Sequence, residues 1–135
     1  MLGKSSILIV EDDLQLANLF AEALKIRGLD AICVYHGDQV MDIFKNHKIA
    51  LVLMDIMLPG LDGFQLLKMI KSNSKTKSIP VIMLTNLGEI DLMQKALRMG
   101  AADYLIKTNV DFPKIFKFLK KHLVGFNARM NLHRD

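Results

Sequence analysis

The stretch Ala50-Leu51-Val52-Leu53-Met54-Asp55-Ile56-Met57-Leu58-Pro59-Gly60-Leu61-Asp62-Gly63 runs from an unbroken apolar segment into an acid, then through a proline-glycine turn to a helix start. A run that is apolar throughout, rather than alternating, suits a strand covered on both faces, and such a strand belongs to a parallel sheet. Working outward, short apolar runs of the same kind stand at 7–10, 31–34, 80–84 and 104–106. Between them apolar residues recur at helical spacing. Leu16, Phe20, Ala23 and Leu24 form one stripe, and Val40, Ile43 and Phe44 the next. Phe64, Leu67 and Ile70 follow, then Leu92, Ala96 and Met99, and last Phe112, Ile115, Phe116, Leu119 and Leu123. Gly28 and Gly100 stand where helices should stop, Gly37-Asp38 and Asp62-Gly63 where they should start, and Pro80 just before a strand.

Five strands and five helices therefore alternate. Strands joined through helices of this length pair in parallel by right-handed crossovers, so the expected fold is α/β, a doubly wound five-stranded parallel sheet with helices on both faces. The 135 residues suit one domain, 1–135, with a core of about 6–123. Residues 124–135 lose the pattern and read as a helix extension or a frayed tail. No apolar run is long enough to cross a bilayer, and no apolar signal region opens the chain. The lone Cys33 can form neither an internal disulfide nor a metal cluster and reads as a small core residue. A cytoplasmic protein without a membrane partner is the expectation.

The net charge is +4, and its distribution is uneven. Residues 107–134 carry Lys114, Lys117, Lys120, Lys121, Arg129 and Arg134 against Asp111. A solvated helix face explains this better than a nucleic-acid site, because neither a reading helix pair nor an aromatic platform accompanies it. His36, His47, His122 and His133 lack ligand spacing and read as surface residues. Met57, Met69, Met83, Met93 and Met99 fall at core-like spacing and need no cofactor.

Open parallel sheets place their functional groups beyond the carboxyl ends of the strands. There the first strand delivers Glu11-Asp12-Asp13, the third Asp55, the fourth Thr85-Asn86 and the fifth Lys107. The second delivers Tyr35-His36, which brings no evident chemistry. Carboxylates a few ångströms apart repel by about 4 kcal/mol per pair at an effective dielectric near 20. They relieve this by holding a proton or a cation. All-oxygen ligands suit a hard ion such as Mg²⁺ (or Mn²⁺), which takes only one or two protein carboxylates. Such an ion can offset charge during phosphoryl transfer. Lys107 and the Thr85 hydroxyl could meet further phosphoryl oxygens. Asp55 would then be the nucleophile, forming an acyl phosphate.

The same residues exclude neighbouring functions. Three acids after the first strand would repel a flavin phosphate, and no glycine-rich nucleotide cradle occurs. A phosphatase working through aspartyl phosphate would want an acid two residues beyond Asp55, where Met57 stands.

Ile7-Leu-Ile-Val-Glu-Asp-Asp13, Leu51-Val-Leu-Met-Asp-Ile-Met-Leu-Pro-Gly-Leu-Asp-Gly63, Met83-Leu-Thr-Asn86 and Gly100-Ala-Ala-Asp-Tyr-Leu-Ile-Lys107 occur in this order. Together they resemble a bacterial two-component response-regulator receiver domain of the chemotaxis-receiver kind, over about residues 6–123. The resemblance implies a flavodoxin-like sheet of order 2-1-3-4-5. It implies that Asp55 is phosphorylated, that Glu11 and Asp12 hold Mg²⁺ with Asp55 and the backbone carbonyl of Met57, and that Asp13 caps a helix. Lys107 and Thr85 would meet the phosphoryl group, with Thr85 and Tyr104 acting as the switch pair. The implied donor is a sensor histidine kinase or phosphotransfer protein. The implied target docks on the face of helix four, strand five and helix five, where Lys114, Lys117 and Lys121 lie. No output domain follows, so a stand-alone receiver is expected; its chemistry would be confined to self-catalysed phosphotransfer and hydrolysis.

Two positions depart from the family. Thr108 follows Lys107 where proline is usual, often in a cis bond; a cis bond to threonine costs about 3 kcal/mol more, so a trans bond is expected. Asn86 replaces a small residue and, with Met57 and Leu87, stands where the family sets phosphoryl lifetime. These departures motivate the rival reading, a protein-binding module that no longer cycles.

Overall fold

The computed structural model describes residues 5–86, 90–109 and 111–123. Leu87 and the 124–135 extension fall outside them. The strands are β1 (Ser6–Val10), β2 (Asp30–Val34), β3 (Ile49–Asp55), β4 (Val81–Thr85) and β5 (Asp103–Ile106). They pair in parallel in the order β2-β1-β3-β4-β5, as expected. The helices are α1 (Leu14–Ile26), α2 (Val40–Asn46), α3 (Gly63–Ser72), α4 (Ile90–Arg98) and α5 (Phe112–His122).

Strand β3 is central, and all seven of its residues are buried. Its alternate side chains feed two separate cores. Val52 and Met54 join Leu8, Val10, Leu66, Leu67, Ile70, Met83 and Met93 on one side. Leu51 and Leu53 join Ile7, Ile9, Phe20, Leu24, Ile115 and Leu119 on the other. Two covered faces explain why this run lacks polar alternation.

Local signals set the helix ends. Asp13 caps α1, its carboxylate accepting from the Leu16 amide at 3.2 Å. Asp62 and Gln65 form a reciprocal capping box at α3, at 2.9 and 3.0 Å. After α1 and α4, Gly28 and Gly100 adopt φ of 82° and 108°, a left-handed conformation that glycine takes without a Cβ penalty.

Several expectations need correction. The second helix does not begin at Gly37-Asp38; residues Gly37–Gln39 make a 3₁₀ turn, and the α-helix starts at Val40. Gly37 lies tight under the Leu61 backbone, where a Cβ would strike the carbonyl. By contrast, strand β4 starts at Val81 directly after Pro80, as expected: Pro80 has no N–H to give the ladder, and its carbonyl accepts from Val52 at 3.0 Å. Met57 and Met69 are not core residues but are 59% and 40% exposed: Met57 stands in the loop after β3 and lines the acid cleft, and Met69 falls on the outer side of α3. Met83 and Met93 are buried. Cys33 is only half-buried, its Sγ 3.7 Å from the Ala17 carbonyl oxygen. His122 is not a surface residue: it packs edge-on to Phe118, with Nε2 3.6 Å from Asp103 Oδ2.

Candidate functional site

At the carboxyl end of the sheet the chain brings together residues far apart in sequence. Glu11 follows β1, its amide donating to the Val34 carbonyl at 3.0 Å, which extends the pairing with β2 by one residue. Its side chain is fully buried. Asp55 closes β3 and is 3% exposed, whereas Asp12 is exposed. Carboxylate oxygens of Glu11, Asp12 and Asp55 lie within 4.8 Å of one another. Three hard anionic donors at that spacing fit a divalent cation such as Mg²⁺, which accepts few protein ligands and keeps water on its open positions.

Lys107 follows β5 and answers two of these charges. Its Nζ lies 2.7 Å from Asp55 Oδ2 and 2.8 Å from Glu11 Oε1. Asp55 Oδ1 accepts from the Met57 amide at 3.2 Å, and Glu11 Oε2 accepts from the Asp13 amide at 3.1 Å. Burial pushes the Glu11 carboxyl up to about 7, against the pull of Lys107 and the Asp13 amide; the Asp55 charge pushes the same way as burial. Burial alone would lower the Lys107 ammonium, but the Asp55 and Glu11 carboxylates together outweigh it and raise its pKa.

Thr85 closes β4 fully buried, one position beyond Leu84, the residue paired with Asp55. Its hydroxyl donates to the Asn86 carbonyl at 3.0 Å. Tyr104 pairs with Met83, two positions back along β4, and packs half-buried against the core shared with Met54. Tyr104 therefore stands apart from the carboxylates, joined to them through the two edge-ward strands. Lys107–Asn109 form a 3₁₀ turn, and no cis peptide bond occurs among the described residues, so the bond to Thr108 is trans as expected. Thr108 and Asn86 both line the cleft, which has a volume of about 600 Å³.

Two glycines shape the wall around Asp55. A Cβ on Gly63 would stand 2.5 Å from the Asp55 carbonyl oxygen and 2.6 Å from Ile56 Cα, so α3 starts directly against the end of β3. Gly60, at φ 77°, turns the loop against the His36 ring. Sequence reasoning missed that Lys107 meets Glu11 as well as Asp55. It also missed Leu19, which is 51% exposed beside the acids and lies outside the α1 core stripe. That misfit with the stripe was the available signal.

Comparison with known proteins gives a consistent result. The profile of the response regulator receiver domain matches residues 7–120. The chain is 33% identical over 121 residues to the response regulator protein FleR of Pseudomonas aeruginosa, covering 90% of this chain and 25% of that protein. It is 37% identical over 107 residues to the phosphate regulon transcriptional regulatory protein PhoB of the same species, covering 79% of this chain and 46% of the relative. It thus spans less than half the length of these curated relatives. The solved receiver domain of NtrX from Brucella abortus superposes with a TM-score of 0.81 at 28% identity, covering 87% of this chain and 98% of that one. Among the described residues, no helix is long and apolar enough to cross a membrane.

Proposed function

The chain belongs to the response regulator receiver domain family, and from that membership we propose that Asp55 accepts a phosphoryl group and that the cleft around it catalyses the gain and loss of that group. Receiver domains are signalling phosphoacceptors that work with histidine kinases and downstream effectors. The observation that carries the reading is the bridging ammonium of Lys107, 2.7 Å from Asp55 and 2.8 Å from Glu11.

An Asp55 carboxylate oxygen attacks the phosphorus of a donor phosphohistidine. The new O–P bond forms as the P–N bond breaks, and that electron pair returns to the imidazole. Glu11, Asp12 and Asp55, with the Met57 carbonyl, would hold Mg²⁺ or Mn²⁺, which supplies positive charge opposite the phosphoryl oxygens. Lys107 pairs with the Asp55 carboxylate before transfer and with the phosphoryl group afterwards. The Met57 amide orients the carboxylate. Attack by water on phosphorus later breaks the O–P bond and restores the carboxylate. Thr85 turns its hydroxyl from the Asn86 carbonyl toward the phosphoryl group, and Tyr104 follows. The face of α4, β5 and α5 then shifts between two states to engage a target.

The intact acid set and Lys107 favour a cycling receiver over a binding module that has lost its chemistry. The test is incubation with radiolabelled acetyl phosphate and Mg²⁺. Hydroxylamine-labile label that vanishes in Asp55→Ala is the expected result. Label that survives Asp55→Ala overturns the assignment.

A further inference from the structure

The end of the sheet opposite the acid cleft carries a second surface. A groove of about 600 Å³ opens at the amino end of β3, between the end of α2 and the connection from α3 to β4. Its floor is apolar: Phe44 from α2, Ile49 at the start of β3, and Ile79 just before β4. Ile49 and Ile79 are recessed, at 4% and 7% exposure. Its rim carries three lysines, Lys45, Lys48 and Lys75, with the His47 ring beside them, and none of the lining residues is an acid.

The wider surroundings have the same sign. Segments 41–49 and 71–79 contribute Lys45, Lys48, Lys71, Lys75 and Lys77 against the single acid Asp42. Asp42 Oδ1 lies 3.4 Å from Lys45 Nζ, with both side chains largely in water, so the pair holds neither tightly. Lys71 turns its ammonium to the carbonyls of Lys77 and Ile79, at 3.0 and 2.7 Å. That contact braces the loop forming one wall and leaves a full positive charge behind it.

We propose that this groove docks an acidic amphipathic protein segment, which presents Asp or Glu side chains to the lysine rim and apolar side chains to the floor. Charge complementarity selects the acidic partner. The shape selects a protein segment. A bilayer surface is engaged by apolar groups that protrude, and here they are sunk below the rim. A nucleic-acid backbone would meet the lysines but leave the apolar floor unused. The volume lies within the range of about 300–1,000 Å³ typical of pockets that take discrete groups. The proposal does not rest on the chemistry assigned to Asp55, because the groove sits at the other end of the strands.

The test titrates the isotope-labelled chain with a synthetic peptide of interleaved Glu, Leu and Phe, followed by amide chemical shifts. Changes should concentrate in residues 44–49 and 73–79, and affinity should fall as salt rises. Exchanging Glu for Gln, or Leu and Phe for Ala, should weaken binding in either peptide. The double variant Lys45→Glu with Lys75→Glu should lower affinity by roughly tenfold without moving the thermal midpoint. The same loss from Lys114→Glu with Lys117→Glu on α5 would overturn the proposal, as would shifts confined to the acid cleft. So would a silent peptide while phosphatidylserine vesicles or duplex DNA perturb the groove amides.

Discussion

Lys107 and Glu11 form an ion pair of 2.8 Å in which the acid is wholly buried and the lysine side chain is 15% exposed. The same ammonium, 52 residues along the chain from Asp55, lies 2.7 Å from that carboxylate. One cation thus balances two acids on neighbouring strands, and removing it leaves both without an answer.

Lys107→Met should therefore destabilise the fold at pH about 8 by about 3–5 kcal/mol, the usual cost of removing one partner of a buried ion pair. Urea denaturation measures this. The same variant should lower the rate of labelling by acetyl phosphate on the order of a hundredfold. An unchanged urea midpoint would mean that the ammonium does not neutralise these acids in solution.

Glu11 makes the metal-free protein pH-sensitive. Its carboxyl is raised from 4.5 to about 7, so between those values the folded chain holds a proton that the unfolded chain has released. Stability from this group is full below about pH 4.5 and falls as pH rises through about 7. The Lys107 pKa is also raised, so its contribution persists until pH exceeds lysine's ordinary value and does not enter this window. In EDTA, the unfolding free energy should drop by on the order of 3 kcal/mol across the Glu11 window. Saturating Mg²⁺ should flatten the profile, and Glu11→Gln should abolish the slope in EDTA. A slope that persists in Glu11→Gln would assign it to other groups.

Gly63 and Gly28 should respond differently to alanine. At Gly63 the added carbon meets the Asp55 carbonyl oxygen at 2.5 Å and Ile56 Cα at 2.6 Å, so α3 or the end of β3 must move. A loss of about 1–3 kcal/mol is expected, together with slowed labelling of Asp55. At Gly28 no atom stands within 4 Å of the added carbon, and only the left-handed φ of 82° resists. About 1 kcal/mol is expected there, with labelling unchanged. Thermal melts and labelling rates of the two variants, run side by side, check the contrast.

Thr85→Ala should uncouple the cleft from the face around Tyr104. The variant should still take up beryllofluoride at Asp55, but the Tyr104 ring resonances should remain where they are in the free protein. Equal displacement of those resonances in the variant and the parent would show that the hydroxyl does not carry the signal.

The gathering of Glu11, Asp12, Asp55, Thr85 and Lys107 at one rim was legible because each strand is short, apolar and ends in or just before a polar residue, whereas the order of the sheet came from the family resemblance. Alternation of strands and helices then leaves few ways to arrange those ends. Met57 and Met69 were misjudged because spacing along one segment says nothing about which neighbour covers it. His122 was misjudged because its partner Asp103 comes from a different element, 3.6 Å away only after folding. The double engagement of Lys107 was hidden for the same reason. The lysine groove was invisible too, since segments 41–49 and 71–79 lie far apart in the chain and meet only where β3 and β4 bring them side by side.

Among the described residues, lysines gather near the amino ends of β3 and β4 and carboxylates at the opposite tips, a separation of charge running along the strands. Two copies approaching in dilute buffer should then turn head to tail before they touch. Within a Debye length of about 8 Å at physiological ionic strength, that orienting torque is felt only near contact. A phosphoryl group added at the acidic tip would deepen the negative pole of this separation, and neutralising the lysines would weaken the positive one.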